Sequence, residues 1–255
     1  MTSTIGAARR WLPYPVSDAG VRLYCLPHAG GSASSYHRWV GRLDGVAVCP
    51  VQPPGRETRR EDAPHSRMDT LTDELADVVL EGAEEGPYAI FGHSLGALVG
   101  FELIQEIRRR GGPQPVHFLV SGCPAPQWLT PDDPLTAEGE LTDERIVSLL
   151  RILGGTPELF LSDPRVLRMI LPPLRADLTV KKGYAYSVRP PLDVPITAIS
   201  ATDDPRAAVD AMAAWREQTV RRFRMHSLDG GHFAVLEQSD TTLRHFATAL
   251  RPWSA

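Results

Sequence analysis

The chain predicts an α/β fold: a mostly parallel central sheet with helices on both faces. Three observations carry this. Short apolar runs alternate with longer amphipathic stretches. Several of those runs are apolar nearly throughout, as strands covered on both sides are. One helical block late in the chain is too long for a simple crossover between neighbouring strands. At 255 residues, 42% of them hydrophobic and 23% charged, the chain is long enough for one large domain over 1–255 with a substantial core.

The elements follow in order. The runs at 21–26 (VRLYCL), 46–51 (VAVCPV), 88–91 (YAIF), 117–121 (HFLVS), 195–200 (PITAIS) and 222–228 (RFRMHSL) read as strands. Helical patterns fall at about 34–43, 69–82, 95–110, 205–219 and 240–250. The third is the clearest: Leu98, Phe101, Leu103 and Ile104 supply its apolar side, and Arg108 to Gly112 end it. Strand–helix alternation implies right-handed βαβ units. From about 127 to 187 no strand pattern appears. The stretch 141–153 is amphipathic and helical, and 163–184 reads as two helices broken at Pro172-Pro173. This block reads as an inserted helical lid; otherwise it is extra helix packed on a sheet edge.

Composition narrows the function. A net charge of −4 gives no sign of a nucleic-acid binder. Cys25, Cys49 and Cys123 are odd in number, far apart and without metal-ligand spacing, so no metal is expected. Each sits in or beside an apolar run and reads as a buried free thiol, which favours a reducing compartment. The first twenty residues lack the apolar core of a signal peptide, and no stretch is long enough to cross a bilayer. The expectation is a cytoplasmic protein with no membrane attachment.

The chemistry centres on Gly-His-Ser-Leu-Gly at 92–96, between a strand and a helix. That is the context of a nucleophile elbow. The turn is so tight that side chains two places either side of Ser94 would strike neighbouring backbone. The following helix turns its N-terminus, with free N–H groups, toward the reacting centre. A serine hydroxyl needs a base, and in this arrangement the chain order is serine, acid, histidine. His117 and His226 lie within strand runs. His232 follows the last strand through Asp229-Gly230-Gly231 and is the candidate base. The acid is expected at Asp204, with Asp203 as the alternative. Both follow the penultimate strand, where either would also serve as a helix cap before Pro205. Two backbone donors are needed for an oxyanion. Leu95 supplies one; the glycine-rich loop 26–36 supplies the other from Ala29, or failing that Gly30.

The ordered set PHAGGSASSYHRW, QPPGRE, FGHSLGALVGFEL, SGCPAP, TDDP and DGGHF resembles the type II thioesterases, the discrete editing enzymes of polyketide and nonribosomal peptide synthases. The likeness spans roughly residues 20–250. It implies an α/β-hydrolase fold with a helical lid between the sixth and seventh strands. It also implies hydrolysis of acyl groups from the phosphopantetheine arm of a carrier protein, with no cofactor of the enzyme's own. By position it makes Ser94 the nucleophile, His232 the base and Asp204 the acid, with Ala29 and Leu95 as oxyanion donors. One departure is Gly96-Ala97 where the family has paired glycines. Under such a lid Trp128, Leu150, Phe160 and Met169 are candidate acyl-channel residues, or simply core. Arg56, Arg59 and Arg60, or Lys181 and Lys182, would meet an acidic carrier protein, or stay as solvated surface. Two other readings remain: a carboxylesterase or acyl-CoA thioesterase with the same triad, and a non-catalytic protein that docks on a synthase.

Overall fold

Six strands form one sheet in the computed structural model, which describes residues 10–17, 20–129 and 141–253. They are β1 (Val21–Leu26), β2 (Val46–Pro50), β3 (Tyr88–His93), β4 (His117–Ser121), β5 (Ile196–Ala201) and β6 (Phe223–Leu228). Their order is β2-β1-β3-β4-β5-β6, and every neighbouring pair is parallel. The first five strands are buried nearly throughout, while β6, at the edge, is only partly covered. Burial on both faces is why several of these runs read as apolar nearly throughout.

Alternate residues of β1 serve two separate cores. Val21, Leu23 and Cys25 face one side, where Tyr36, Trp39, Phe91 and Phe246 pack ring to ring. Tyr24 and Leu26 face the other, where Trp215 meets Phe101 and Phe118 edge-on. The second side is covered by α1 (Met68–Ala83) and α2 (Leu95–Arg109), the first by the C-terminal helix α8 (Ser239–Leu250) and the 3-10 segment Ala33–Trp39. Fully burying one such aromatic ring contributes on the order of 2–3 kcal/mol, so these two clusters are what hold the layers together.

The remaining helices lie in two stretches. Between β4 and β5 are α3 (Asp143–Leu153), α4 (Glu158–Leu161) and α5 (Pro164–Lys182), which share a small core of their own that includes Ile146, Leu149, Leu161 and Leu174. After β5 come α6 (Val209–Ala213) and a 3-10 turn, and after β6 the short α7 (Ala234–Glu237). The fold is therefore an α/β-hydrolase fold with an inserted helical region. Part of the predicted lid, residues 130–140, lies outside the described residues.

Four expectations need correction. The resemblance counted six strands ahead of the lid; among the described residues there are four, because the sheet begins at Val21. The proline pair does not split the long lid helix: α5 runs unbroken through Pro172 and Pro173. Two prolines remove two amide donors, but Leu171, Leu174 and Leu178 bury one face of the helix and Asp177 ties it to the body, so tertiary contact overrides the local penalty. The helix expected at 34–43 is a 3-10 segment, Ala33–Trp39, ended by Val40 in an extended conformation. The helix expected from 205 starts at Val209, because Asp204 to Ala208 form the loop that carries the acid. No helix among the described residues is long and apolar enough to cross a membrane.

Candidate active site

The order of strands places the site. The chain leaves β1 over one face of the sheet and leaves β3 over the other, so the loops beyond these two neighbouring strands diverge and open a crevice. Ser94 stands at the end of β3 in that crevice. Its backbone lies at φ 54° and ψ −120°, a conformation that non-glycine residues rarely adopt. The Ser94 N–H donates to the Ser121 carbonyl at 2.8 Å, which ties the turn to β4. The flanking glycines are required by contact. A Cβ on Gly92 would come within 2.2 Å of the Gly96 carbonyl oxygen, and one on Gly96 within 2.2 Å of the Leu26 carbonyl oxygen. Ala97, fully buried, fits where the family has a second glycine.

Asp204 and His232 face each other at the ends of β5 and β6. His232 Nδ1 lies 3.0 Å from Asp204 Oδ1 and 2.9 Å from Oδ2, with both side chains almost fully buried. Oδ1 also accepts the Arg206 N–H at 2.8 Å. Asp204 therefore caps its loop and holds the imidazole together. Burial alone pushes the Asp204 carboxyl up. The His232 hydrogen bond and charge, with the Arg206 and Ala207 N–H groups, outweigh it and bring the group below its ordinary value. Asp203 points elsewhere: its carboxylate accepts the Thr202 hydroxyl at 3.1 Å, near solvent. Its N–H donates to the Gly230 carbonyl at 2.9 Å, and the Gly230 N–H donates to Thr202 Oγ1 at 3.1 Å. These bonds stitch the loop bearing the acid to the loop bearing the histidine.

One cavity of about 510 Å³ is lined by Ser94, Leu95, His232, Ala29 and Gly30 together, and its far wall comes from α3, α4 and α5. Leu95 is the first residue of α2, so its N–H has no acceptor one helical turn back. The Gly30 N–H is engaged by Asp177 Oδ2 at 2.7 Å, and Ala29 beside it lines the cavity. Leu150 and Phe160 line the cavity; Trp128 and Met169 do not, and are 49% and 71% exposed. A helix shows only part of its circumference to the cavity, so apolarity alone did not pick the right face. A larger groove of about 1060 Å³ lies between α1, α2 and the segment after α5, away from Ser94 and His232. Among the described residues no group of three or more His, Cys, Asp or Glu could hold a metal ion.

Two of the arginines offered as surface are not surface. Arg56 and Arg59 are each 7% exposed. Arg56 pairs with Asp177; Arg59 pairs with Asp62 and lies over the Trp11 ring at 4.5 Å. Arg60 is exposed beside Glu61, and Lys181 lies on the cavity wall. The sequence also left His28 and His93 unremarked. The His93 ring tilts against His232 at 4.9 Å and His28 meets His93 edge-on at 5.8 Å. Burial, then the charge of His232, drives both imidazoles down, His28 to about 4. Both are therefore neutral at pH 7. Cys25, Cys49 and Cys123 are buried and none is in a disulfide.

Residues 21–250 match the thioesterase domain family. Linear gramicidin dehydrogenase LgrE of Brevibacillus parabrevis is 38% identical over 99% of this chain and 97% of its own length. Thioesterase PikA5 of Streptomyces venezuelae is 37% identical over 88% of this chain and 79% of its own. Among solved structures, the RedJ thioesterase from the prodiginine pathway of Streptomyces coelicolor superposes with a TM-score of 0.84 at 38% identity, covering 95% of this chain and 99% of that one.

Proposed function

The chain belongs to the thioesterase domain family, and from that premise we propose that Ser94, His232 and Asp204 hydrolyse thioesters as nucleophile, base and acid. The enzyme is a type II thioesterase of polyketide and nonribosomal peptide biosynthesis, acting on acyl groups held on the phosphopantetheine arm of carrier proteins. The observation that carries the triad is His232 held by both oxygens of Asp204 in the cavity that also opens onto a strained Ser94.

The reaction runs on these parts. His232 takes the Ser94 proton as the hydroxyl oxygen attacks the thioester carbonyl. The Ala29 and Leu95 N–H groups receive the oxyanion. Collapse expels the phosphopantetheine thiolate, a good leaving group, which takes the proton from His232 and leaves the imidazole a free base again. Water, activated by His232, then attacks the acyl-serine and releases the free acid. The phosphopantetheine arrives with the carrier protein. We treat the helices between β4 and β5 as a lid inserted in a single domain over 1–255, with Leu150 and Phe160 on the roof of the acyl channel. Three buried cysteines, none in a disulfide, support a cytoplasmic location.

The dehydrogenase in the name of one relative is a redox activity. The first strand-to-helix loop here, Pro27-His28-Ala29-Gly30-Gly31-Ser32, lacks the Gly-x-Gly-x-x-Gly spacing of a dinucleotide site. The site geometry supports acyl transfer instead. Labelling with a fluorophosphonate tests the nucleophile: wild type labels and Ser94→Ala does not, and equal labelling of both would refute the assignment. Turnover of one acyl group on a carrier protein and on coenzyme A tests the substrate class. An equal or faster rate on coenzyme A would move the enzyme to the acyl-CoA thioesterases.

A further inference from the structure

Asp177 lies on α5, in the lid, yet its side chain reaches into the loop that follows β1. Its carboxylate is only 10% exposed. Oδ2 accepts the Gly30 N–H at 2.7 Å and Arg56 Nη1 at 2.5 Å; Oδ1 accepts Arg56 Nη2 at 2.8 Å. Arg56 Nη1 donates as well to the Gly31 carbonyl at 3.0 Å. The lid carboxylate thus holds the Gly30 N–H and the body guanidinium the Gly31 carbonyl, just past Ala29.

The far end of the same loop is held differently. Gln52 Oε1 accepts the Ala33 N–H at 3.2 Å. Glu57 Oε1 accepts the Ser32 and Ser34 hydroxyls at 2.7 and 2.6 Å. Glu57 has φ 44° and is, with Ser94, one of two non-glycine residues at positive φ among those described. The body of the enzyme therefore fixes the loop from Gly31 onward, but the Gly30 amide is held by the lid. Gly30 is at φ 75°, and a Cβ there would press on the Leu174 side chain of α5 at 3.2 Å. The Gly31 N–H donates to the His28 carbonyl at 2.8 Å and closes a turn, so without the Asp177 bond the peptide free to rotate is the central one, between Ala29 and Gly30. Rotation would disturb the Ala29 N–H and swing a carbonyl toward the oxyanion, replacing attraction with repulsion.

We propose that Asp177 is a positioning residue for hydrolysis: docking of the lid helix sets the Gly30 peptide, and through it the Ala29 donor, so the oxyanion hole is complete only with α5 in place. Arg56 completes the device. A lone carboxylate this near the reaction would oppose the oxyanion, whereas a carboxylate neutralised by a bidentate guanidinium gives a charge-assisted bond without that penalty. The proposal rests on Ser94 as nucleophile and Ala29 as donor.

The test uses the full-length enzyme and acetyl-N-acetylcysteamine, a thioester too short to depend on the acyl channel, with active sites counted by fluorophosphonate titration. Asp177→Ala leaves Arg56 buried and unpaired, which threatens folding. The paired variant Arg56→Met/Asp177→Leu removes both charges and keeps the contact apolar. Losing an oxyanion donor outright costs about 10²–10³ in kcat, so a misplaced one is expected to cost about 10- to 100-fold per titrated site in both variants. KM should stay within about threefold, because the interaction lost is made in the transition state. Affinity for an alkyl trifluoromethyl ketone, which forms a tetrahedral adduct, should fall by the same factor as kcat. Asp177→Asn keeps an acceptor for Gly30 and should lose less. Wild-type kcat per site in the paired variant overturns the proposal, as does a loss confined to the number of titratable sites. Ser94→Ala separates the two levels. If it hydrolyses normally, the triad reading fails and this inference with it; if it is inactive while the paired variant is fully active, only the role of Asp177 fails.

Discussion

Replacing Asp204 by Asn should reduce turnover by three to four orders of magnitude. Asp204 and His232 have side chains 1% and 2% exposed, and both carboxylate oxygens lie within 3.0 Å of Nδ1. When His232 takes the Ser94 proton, a cation forms against this carboxylate, with charge centres about 4 Å apart. At an effective dielectric constant of about 20 that attraction is worth about 4 kcal/mol, or about 10³ in rate. An amide adds a second fault. Its NH₂ can face Nδ1 only as a donor, which leaves the proton on Nε2, where it cannot accept one from serine; the corresponding change in a serine protease costs about 10⁴. Asp203→Asn is the control, since its carboxylate meets only the Thr202 hydroxyl near solvent; it should stay within about twofold. The assay is release of free thiol from an acyl-N-acetylcysteamine thioester at pH 7.5, normalised to titrated sites. A loss under tenfold for Asp204→Asn, or an equal loss for Asp203→Asn, would refute the reasoning.

Gly96→Ala should destabilise the protein by about 3 kcal/mol, because its Cβ meets the Leu26 carbonyl oxygen; Gly231→Ala, with open space around it, should stay within about 0.5 kcal/mol. Urea midpoints at constant m-value read both. Phe160→Ala should shift acyl-chain preference and Met169→Ala should not, because only Phe160 lines the cavity; a graded series of acyl-carrier substrates reads this, and equal shifts would place Met169 in the channel. Acid should weaken the fold through its buried histidines. Burial, then the Arg224 charge, lowers the His117 imidazole to about 4, below its unfolded value near 6.5. The unfolded chain then binds the extra proton between those values, so stability drops as pH falls from about 6.5 to about 4 and levels off below. The full effect for His117 is roughly 3 kcal/mol. Thermal melts over that range should show it, and His117→Gln should flatten part of the slope; an unchanged slope would mean that His117 is charged in the fold.

Much of the site was legible because its signals are local. The Gly92 to Gly96 turn is a steric demand within five residues, and the apolar runs are strands covered on both faces. Asp204 and His232 could be placed on loops because each follows a strand at the same edge. The choice between Asp203 and Asp204 was weaker in the sequence, since adjacent residues share a loop and differ only in which way each side chain turns. The resemblance supplied the thioester; the triad would serve an oxygen ester equally well.

What the sequence determined by itself is therefore the sheet, the tight turn at Ser94 and the loops that bear Asp204 and His232. Each depends on residues a few places apart, through backbone sterics and the periodicity of burial. Tertiary structure alone decided the rest. Arg56 looked like a solvated cation and is buried against Asp177, 121 residues away. The proline pair looked like a helix break and lies inside an unbroken helix that bears Asp177 and Leu174. Trp128 and Met169 looked like channel and face outward. In each case the outcome depends on which distant surface a residue meets, and that is settled only when the inserted helices meet the loops beyond the strands.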